Sequence, residues 1–271
     1  MSFDETNGTA PGRRRLTGRR ILVVGGGRMA SPEPDSPVGN GQAISVLAAR
    51  EGAAVAVADR SEEAAAETVS LIAGEGGQAT SVIADVSDPE ACDRLVDEAA
   101  EALGGLDGVV CNVGIAGGMG LEGTDAKTWD LVFAVNLRSH FLVARRALPL
   151  MEEGGALVFI SSLAGSVPGS RIPSYDSSKS ALRGLCRHVA LEGARQGVRA
   201  NVVAPGLMDT PLGRLATRGR PSRGKTRIPL GRQGTAWEVA YMTIFLLSGE
   251  SSYVTGQELL VDGGLGALNT M

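Results

Sequence analysis

Ile21-Leu22-Val23-Val24-Gly25-Gly26-Gly27 is the stretch from which the fold can be read. Four apolar residues run straight into three glycines, and a helical pattern opens at Gly39-Asn40-Gly41 with Ala43, Ile44, Val46, Leu47 and Ala48 behind it. A strand, a glycine turn and a helix in this order let the backbone approach a pyrophosphate closely, and the free N–H groups and dipole at the helix N-terminus favour its charge. Between turn and helix, Arg28 to Val38 contains Pro32, Pro34 and Pro37 and reads as a loop. Ala54-Val55-Ala56-Val57-Ala58 is a second apolar run, closed by Asp59, where a carboxylate can accept hydrogen bonds from ribose hydroxyls.

Further along, Ala156-Leu157-Val158-Phe159-Ile160 reads as a buried strand with Ser161-Ser162 at its carboxyl end, where open α/β sheets place their ligand crevice. Tyr175 and Lys179 lie four apart in a run without Gly or Pro, so a helix puts phenol and ammonium on one face. A free phenol, with a pKa of about 10, is a poor acid at neutral pH, and a nearby cation is expected to lower it. A serine hydroxyl at the strand end can hydrogen-bond a substrate oxygen.

Together these residues resemble the short-chain dehydrogenase/reductase family, which carries a serine thirteen residues before the tyrosine of Tyr-x-x-x-Lys. The distance 175 − 162 = 13 selects Ser162 over Ser161. Val135-Asn136-Leu137 matches the asparagine with which the family holds a water against its lysine, so the resemblance implies a catalytic tetrad of Asn136, Ser162, Tyr175 and Lys179. It also implies a single doubly wound α/β domain with a seven-stranded parallel, Rossmann-like sheet over 20–271; ahead of it, residues 1–19 are polar, with Arg13, Arg14, Arg15 and Arg19 late in the run, and read as a loose arm.

The family's T-G-x-x-x-G-x-G places its first two glycines four apart, whereas Gly26 and Gly39 are 39 − 26 = 13 apart, so nine residues are inserted near 28–38. Two readings of that insertion stay open, a flap over the cofactor with Arg28 near the pyrophosphate and a plain surface excursion. The other cofactor residues implied are Gly26, Asn40, Gly41, Asp59, Arg60, Asp85, Val86, Asn112, Gly114, Tyr175, Lys179, Pro205, Gly206, Met208 and Thr210. Asp59 repels a 2′-phosphate and so favours NAD(H) over NADP(H), against which Arg60 beside it can pair with such a phosphate.

The implied activity is hydride transfer between nicotinamide and a secondary alcohol or ketone, the work of a ketoreductase or alcohol dehydrogenase. The alternatives are a non-redox epimerase or dehydratase on the same fold and a nucleotide-binding sensor or scaffold. The substrate loop near 207–232 carries Arg214, Arg218, Arg220, Arg223, Lys225, Arg227 and Arg232 with no acid after Leu212, which fits either an anionic substrate or a solvated lid.

Composition narrows the rest. A net charge of −4 gives no reason to expect nucleic acid or an anionic membrane as partner. The three cysteines, Cys92, Cys111 and Cys186, lack any C-x-x-C spacing, which favours a reducing, cytoplasmic setting over disulfides or zinc. His140 and His188 lie in helical patterns and read as packing or surface residues, so no metal is assigned. Tyr253 to Gly264 resembles the family's closing strand, which implies a homotetramer.

Overall fold

Within Arg20–Val24, Leu22 and Val24 pack into one hydrophobic cluster and Ile21 and Val23 into another. A strand apolar on both faces belongs in the middle of a sheet covered on both sides. The structure, a computed structural model, describes residues 3–31, 33, 35–167 and 169–268; Pro32 and Pro34 of the inserted loop lie outside that set.

In chain order the strands are β1 (Arg20–Val24), β2 (Ala54–Asp59), β3 (Gln78–Ile83), β4 (Leu106–Cys111), β5 (Met151–Ile160), β6 (Arg199–Pro205), the short pair β7 (Met208–Asp209) and β8 (Gly234–Thr235), and β9 (Glu258–Val261). The helices are α1 (Asp4–Asn7), α2 (Asn40–Arg50), α3 (Glu62–Gly74), α4 (Pro89–Leu103), α5 (Ala126–Phe133), α6 (Ser139–Ala147), α7 (Pro173–Gly193), α8 (Pro211–Arg218) and α9 (Ala236–Leu247). Seven parallel strands pair in the order β3-β2-β1-β4-β5-β6-β9, the doubly wound sheet the sequence implies. One core fills the side that includes Leu95, Leu142 and Cys186, the other the side that includes Ile44, Leu47, Val239 and Ile244. Strand order reverses between β1 and β4, and the crevice beyond their carboxyl ends is where such sheets bind ligands.

Two segments depart from the sequence expectation. The N-terminal arm is docked: Leu16 is fully buried, and the Arg13 and Arg15 backbone N–H groups both donate to Glu51 Oε2, at 2.9 and 3.1 Å. Arg15 also pairs with that buried carboxylate at 2.7 Å, and Arg50 donates to the Gly8 carbonyl at 2.7 Å. A buried Glu51 needs these donors, which is why the basic run lies down instead of waving in solvent.

The second is the segment from Thr128 to Met151, whose sequence carries the pattern of one long amphipathic helix and whose structure is broken. A π-helical turn at Ala134–Arg138 separates α5 from α6, and Leu148–Leu150 is a 3₁₀ turn. Its cause lies in Asn136. The fully buried side-chain amide accepts from Ile115 N–H at 2.8 Å and donates to the Ile115 carbonyl at 2.9 Å and to Ser178 Oγ at 3.0 Å. Such π-bulges recur at functional sites, where one extra residue per turn re-aims a side chain.

Candidate active site and cofactor cleft

Pro173 starts α7 at a position that needs no N–H, and the helix carries Tyr175 in its first turn and Lys179 one turn beyond it. Lys179 Nζ lies over the Tyr175 ring, 5.9 Å from its centre, and donates to the Ile160 carbonyl at the end of β5 at 2.8 Å. Gly114 makes room for it: a Cβ there would come within 3.0 Å of the ammonium. Lys179 is buried, and burial lowers its ammonium to about 8.

Burial also pushes the Tyr175 phenol above its ordinary value; Ser162 works against that, Asp176 adds to it, and Arg223 opposes it. The expectation that Lys179 lowers the phenol is therefore corrected. The ammonium is committed to a backbone carbonyl and makes no hydrogen bond to the phenol, so the loss of water dominates.

The two adjacent serines divide their work. Ser161 is buried and donates to the Lys179 carbonyl at 2.8 Å, tying β5 to α7. Ser162 caps the short turn Leu163–Gly165 by accepting from Ala164 N–H at 3.2 Å, which leaves its own proton free to donate. Ser178, which no motif singles out, holds Asn136. Beneath the site His140 is buried, and burial lowers its imidazole to about 3, so it is a neutral packing residue. Burial raises the Cys111 thiol, as suits a packed side chain and not a nucleophile.

At the other end of the crevice, Gly25 turns with φ 79° and its N–H donates to the Ala58 carbonyl at 2.7 Å, which Gly26 N–H also reaches at 3.0 Å. Asn112 Nδ2 donates to the Gly25 carbonyl at 2.8 Å and so pins the turn. A Cβ on Gly41 would fall 1.8 Å from that same carbonyl, so α2 can start this close to the turn only with glycine there. Asn40 Oδ1 is buried at the first turn of α2 with no hydrogen-bond partner, while a Cβ on neighbouring Gly39 would meet open space. A helix N-terminus with an orphaned polar atom beside an open glycine fits a bound dinucleotide.

Asp59 is fixed by Gly27 N–H on Oδ2 and Ser61 N–H on Oδ1, both at 3.1 Å. Asp85 accepts from Ser87 N–H at 2.9 Å, which holds its carboxyl below the usual range with help from the Arg60 charge, and Val86 is buried. Arg28 donates to Glu67 on α3 at 3.2 Å and to the Ser36 carbonyl at 3.1 Å, so its guanidinium is tied to α3 and to its own loop. Gly206 N–H donates to the Val261 carbonyl at 2.9 Å, continuing the β6–β9 register after Pro205. Met208 and Thr210 follow, both buried, with Thr210 Oγ1 capping α8 through Gly213 N–H at 3.1 Å.

Comparison with known proteins agrees with this geometry. Residues 37–266 match the family model described as Enoyl-(Acyl carrier protein) reductase. The chain belongs to the short-chain dehydrogenase/reductase family. It is 34% identical to the 3-oxoacyl-[acyl-carrier-protein] reductase FabG of Thermotoga maritima over 93% of this chain and 99% of that protein. It is 40% identical to the inactive 2-(S)-hydroxypropyl-CoM dehydrogenase 2 of Xanthobacter autotrophicus, over 82% of this chain and 98% of that one. A short-chain dehydrogenase from Burkholderia cenocepacia solved in complex with NADP superposes with a TM-score of 0.83 at 33% identity, covering 93% of this chain and all of the other.

Within this short-chain dehydrogenase/reductase, the inserted loop and the substrate loop meet. Glu33 accepts from Arg214 at 2.9 Å and from Arg218 at 2.7 Å, and Asp209 holds Arg214 at 2.7 and 3.1 Å. The insertion, which starts at the glycine turn, is thus fastened to α8 on the substrate side, a contact absent from both readings of the sequence. Among the described residues no helix is long and apolar enough to cross a membrane.

Proposed function

We propose that this chain interconverts a secondary alcohol and a ketone with a nicotinamide dinucleotide. The observation that carries the reading is the meeting of Ser162, Tyr175 and buried Lys179 at the carboxyl end of β5, beside a cleft shaped for a dinucleotide at β1. Gly26, Asn40, Gly41, Asp59, Asp85, Val86, Asn112, Gly114, Pro205, Gly206, Met208 and Thr210 are the residues that would hold the cofactor. When bound, it supplies or accepts the hydride.

The chain's own residues handle the proton. In reduction Tyr175, whose phenol burial holds above its ordinary value, gives its proton to the substrate oxygen while Ser162 donates a hydrogen bond to that oxygen. In oxidation the tyrosinate is the base, formed with the Lys179 ammonium 5.9 Å from the centre of its ring. Asn136, bonded to Ile115 and Ser178, holds the π-turn against α7 and keeps the relay next to Lys179 in place.

NAD(H) is the preferred cofactor in this reading. Asp59, held by two N–H groups at the end of β2, is the carboxylate that would meet the adenosine ribose, and a 2′-phosphate about 4 Å from it would cost about 4 kcal/mol at a surface dielectric. The Arg60 charge is shared with Asp85. NADP in the Burkholderia cenocepacia structure is a property of that protein and the reason to measure the preference directly.

The homotetramer rests on the likeness of Tyr253 to Gly264 to the family's closing strand; a cleft of about 700 Å³ between α5, α6 and α7, lined by Phe133, Leu137, Phe141 and Leu185 with Asp130 and Arg138 among them, is a second surface at which copies would meet. Three buried free cysteines fit a reducing, cytoplasmic setting. The test is consumption of NADH and NADPH with a panel of ketones. Oxidation of NADH with kcat/KM at least about tenfold above NADPH is expected, a difference of about 1.4 kcal/mol. Tight NADH binding with no turnover on any ketone would favour the scaffold or non-redox readings, which a relative described as inactive makes worth the measurement.

A further inference from the structure

The substrate loop's seven cations are not equivalent once their partners are counted. Arg214 and Arg218 are neutralised by Asp209 and Glu33, and Arg232 by Glu238 at 2.7 Å. Lys225 and Arg227 are exposed. Arg220 and Arg223 are half-buried, and neither has a carboxylate partner among the described residues.

Arg220 donates through Nη1 to the carbonyls of Gly169 and Ser170, so this segment rests on the loop that leads into α7 and Tyr175. Arg223 donates, also through Nη1, to the Gly213 carbonyl at 2.9 Å and to Thr217 Oγ1 at 2.6 Å. Both acceptors are neutral and both belong to α8. One nitrogen therefore anchors the guanidinium, and the edge formed by Nε and Nη2 keeps its two parallel N–H groups for something else. That edge is the one with which arginine grips a carboxylate in two hydrogen bonds. Burial lowers the Arg223 guanidinium, Arg220 repels it, and it feels the charge of Tyr175 in return. Two half-buried cations side by side with no anion form an arrangement that an incoming anion relieves.

We propose that Arg223 is the specificity-determining residue of this site and receives a carboxylate carried by the carbonyl substrate beside Tyr175. The substrate class is then a short oxo acid or hydroxy acid. The proposal rests on the oxidoreductase reading above and narrows the basic loop to one residue.

The experiment measures NADH-dependent reduction of a panel of 3-oxo acids, each paired with its methyl ester, by the wild type and by Arg223→Gln, Arg223→Lys and Arg227→Gln. The wild type should prefer the acids. Arg223→Gln should lower kcat/KM for the acids by about tenfold to a hundredfold, mainly through KM, as loss of a charged double hydrogen bond implies, and leave the esters within about twofold. Arg223→Lys, which keeps the charge but not the fork, should fall between, and Arg227→Gln should change nothing.

Equal losses on acid and ester, a wild type that favours esters, or the same loss in Arg227→Gln would overturn the assignment. If NADH binds but no member of the panel is reduced, the redox reading fails on its own. Calorimetric titration of acetoacetate into the protein–NAD⁺ complex then decides Arg223 separately: binding lost in Arg223→Gln upholds it, and no binding to the wild type or equal binding to both refutes it.

Discussion

Replacing Lys179 with methionine should make the cofactor-free protein more stable while abolishing turnover. The ammonium is buried, its one hydrogen bond goes to the Ile160 carbonyl, and no carboxylate pairs with it among the described residues. Lowering its pKa from 10.5 to about 8 corresponds to a cost of about 3 kcal/mol for keeping the charge folded at pH 7. Methionine fills much the same volume and removes that cost, while the Ile160 carbonyl loses its donor at about 1 kcal/mol.

The net gain is about 2 kcal/mol, or about 4 °C in Tm for a domain of this size. The pH dependence carries a definite sign. Because the folded pKa is the lower one, the unfolded chain holds the extra proton between about pH 8 and pH 10.5, so this group's contribution to wild-type stability improves as pH rises through that window. The advantage of Lys179→Met should therefore shrink by about 2 kcal/mol between pH 7 and about pH 9.5. Urea unfolding of both proteins at the two pH values reads it directly. A variant less stable than wild type at pH 7, or a difference that stays constant with pH, would falsify the claim that the buried ammonium is a stability cost kept for function.

Asn136→Ala strips partners from Ile115 N–H, the Ile115 carbonyl and the Ser178 hydroxyl, and should cost about 3 kcal/mol or more. Thermal unfolding without cofactor measures it, and a loss below about 1 kcal/mol would mean the amide does not hold the π-turn. Tyr175→Phe should reduce kcat by about a thousandfold with NADH affinity unchanged, as expected when only the proton donor is removed. Fluorescence titration and steady-state turnover check the two halves, and near-wild-type kcat would remove Tyr175 from the proton step.

Much of the site lay open in the order of residues because its spacings are local. Tyr175 and Lys179 share a helix face by simple periodicity, and the glycines at 25–27, 39 and 41 sit where a strand must hand over to a helix. Ser162 is told from Ser161 by the thirteen-residue interval of the family it resembles, and the structure gives the physical counterpart: the buried Ser161 hydroxyl is used up by the Lys179 carbonyl. Less legible were features that depend on partners far along the chain. The polar arm looked loose because its anchor, the buried Glu51, is itself a charged residue that reads as surface. The break at Asn136 was hidden because the long helical pattern gives no sign that an amide inside it will turn to bind the Ile115 backbone.

Strand-to-helix alternation, a glycine at each tight approach and the one-turn interval on α7 follow from short-range periodicity and the steric needs of the backbone, and these settled the sheet and the chemical groups available to it. Charge compensation is another kind of property. Glu33 and Arg214 are 181 positions apart, and only the folded chain brings them to 2.9 Å, spends Lys179 on a carbonyl and leaves Arg223 without an anion. Which cation is neutralised depends on distance and burial in three dimensions, because an ion pair gains or costs free energy according to how much water both partners have lost.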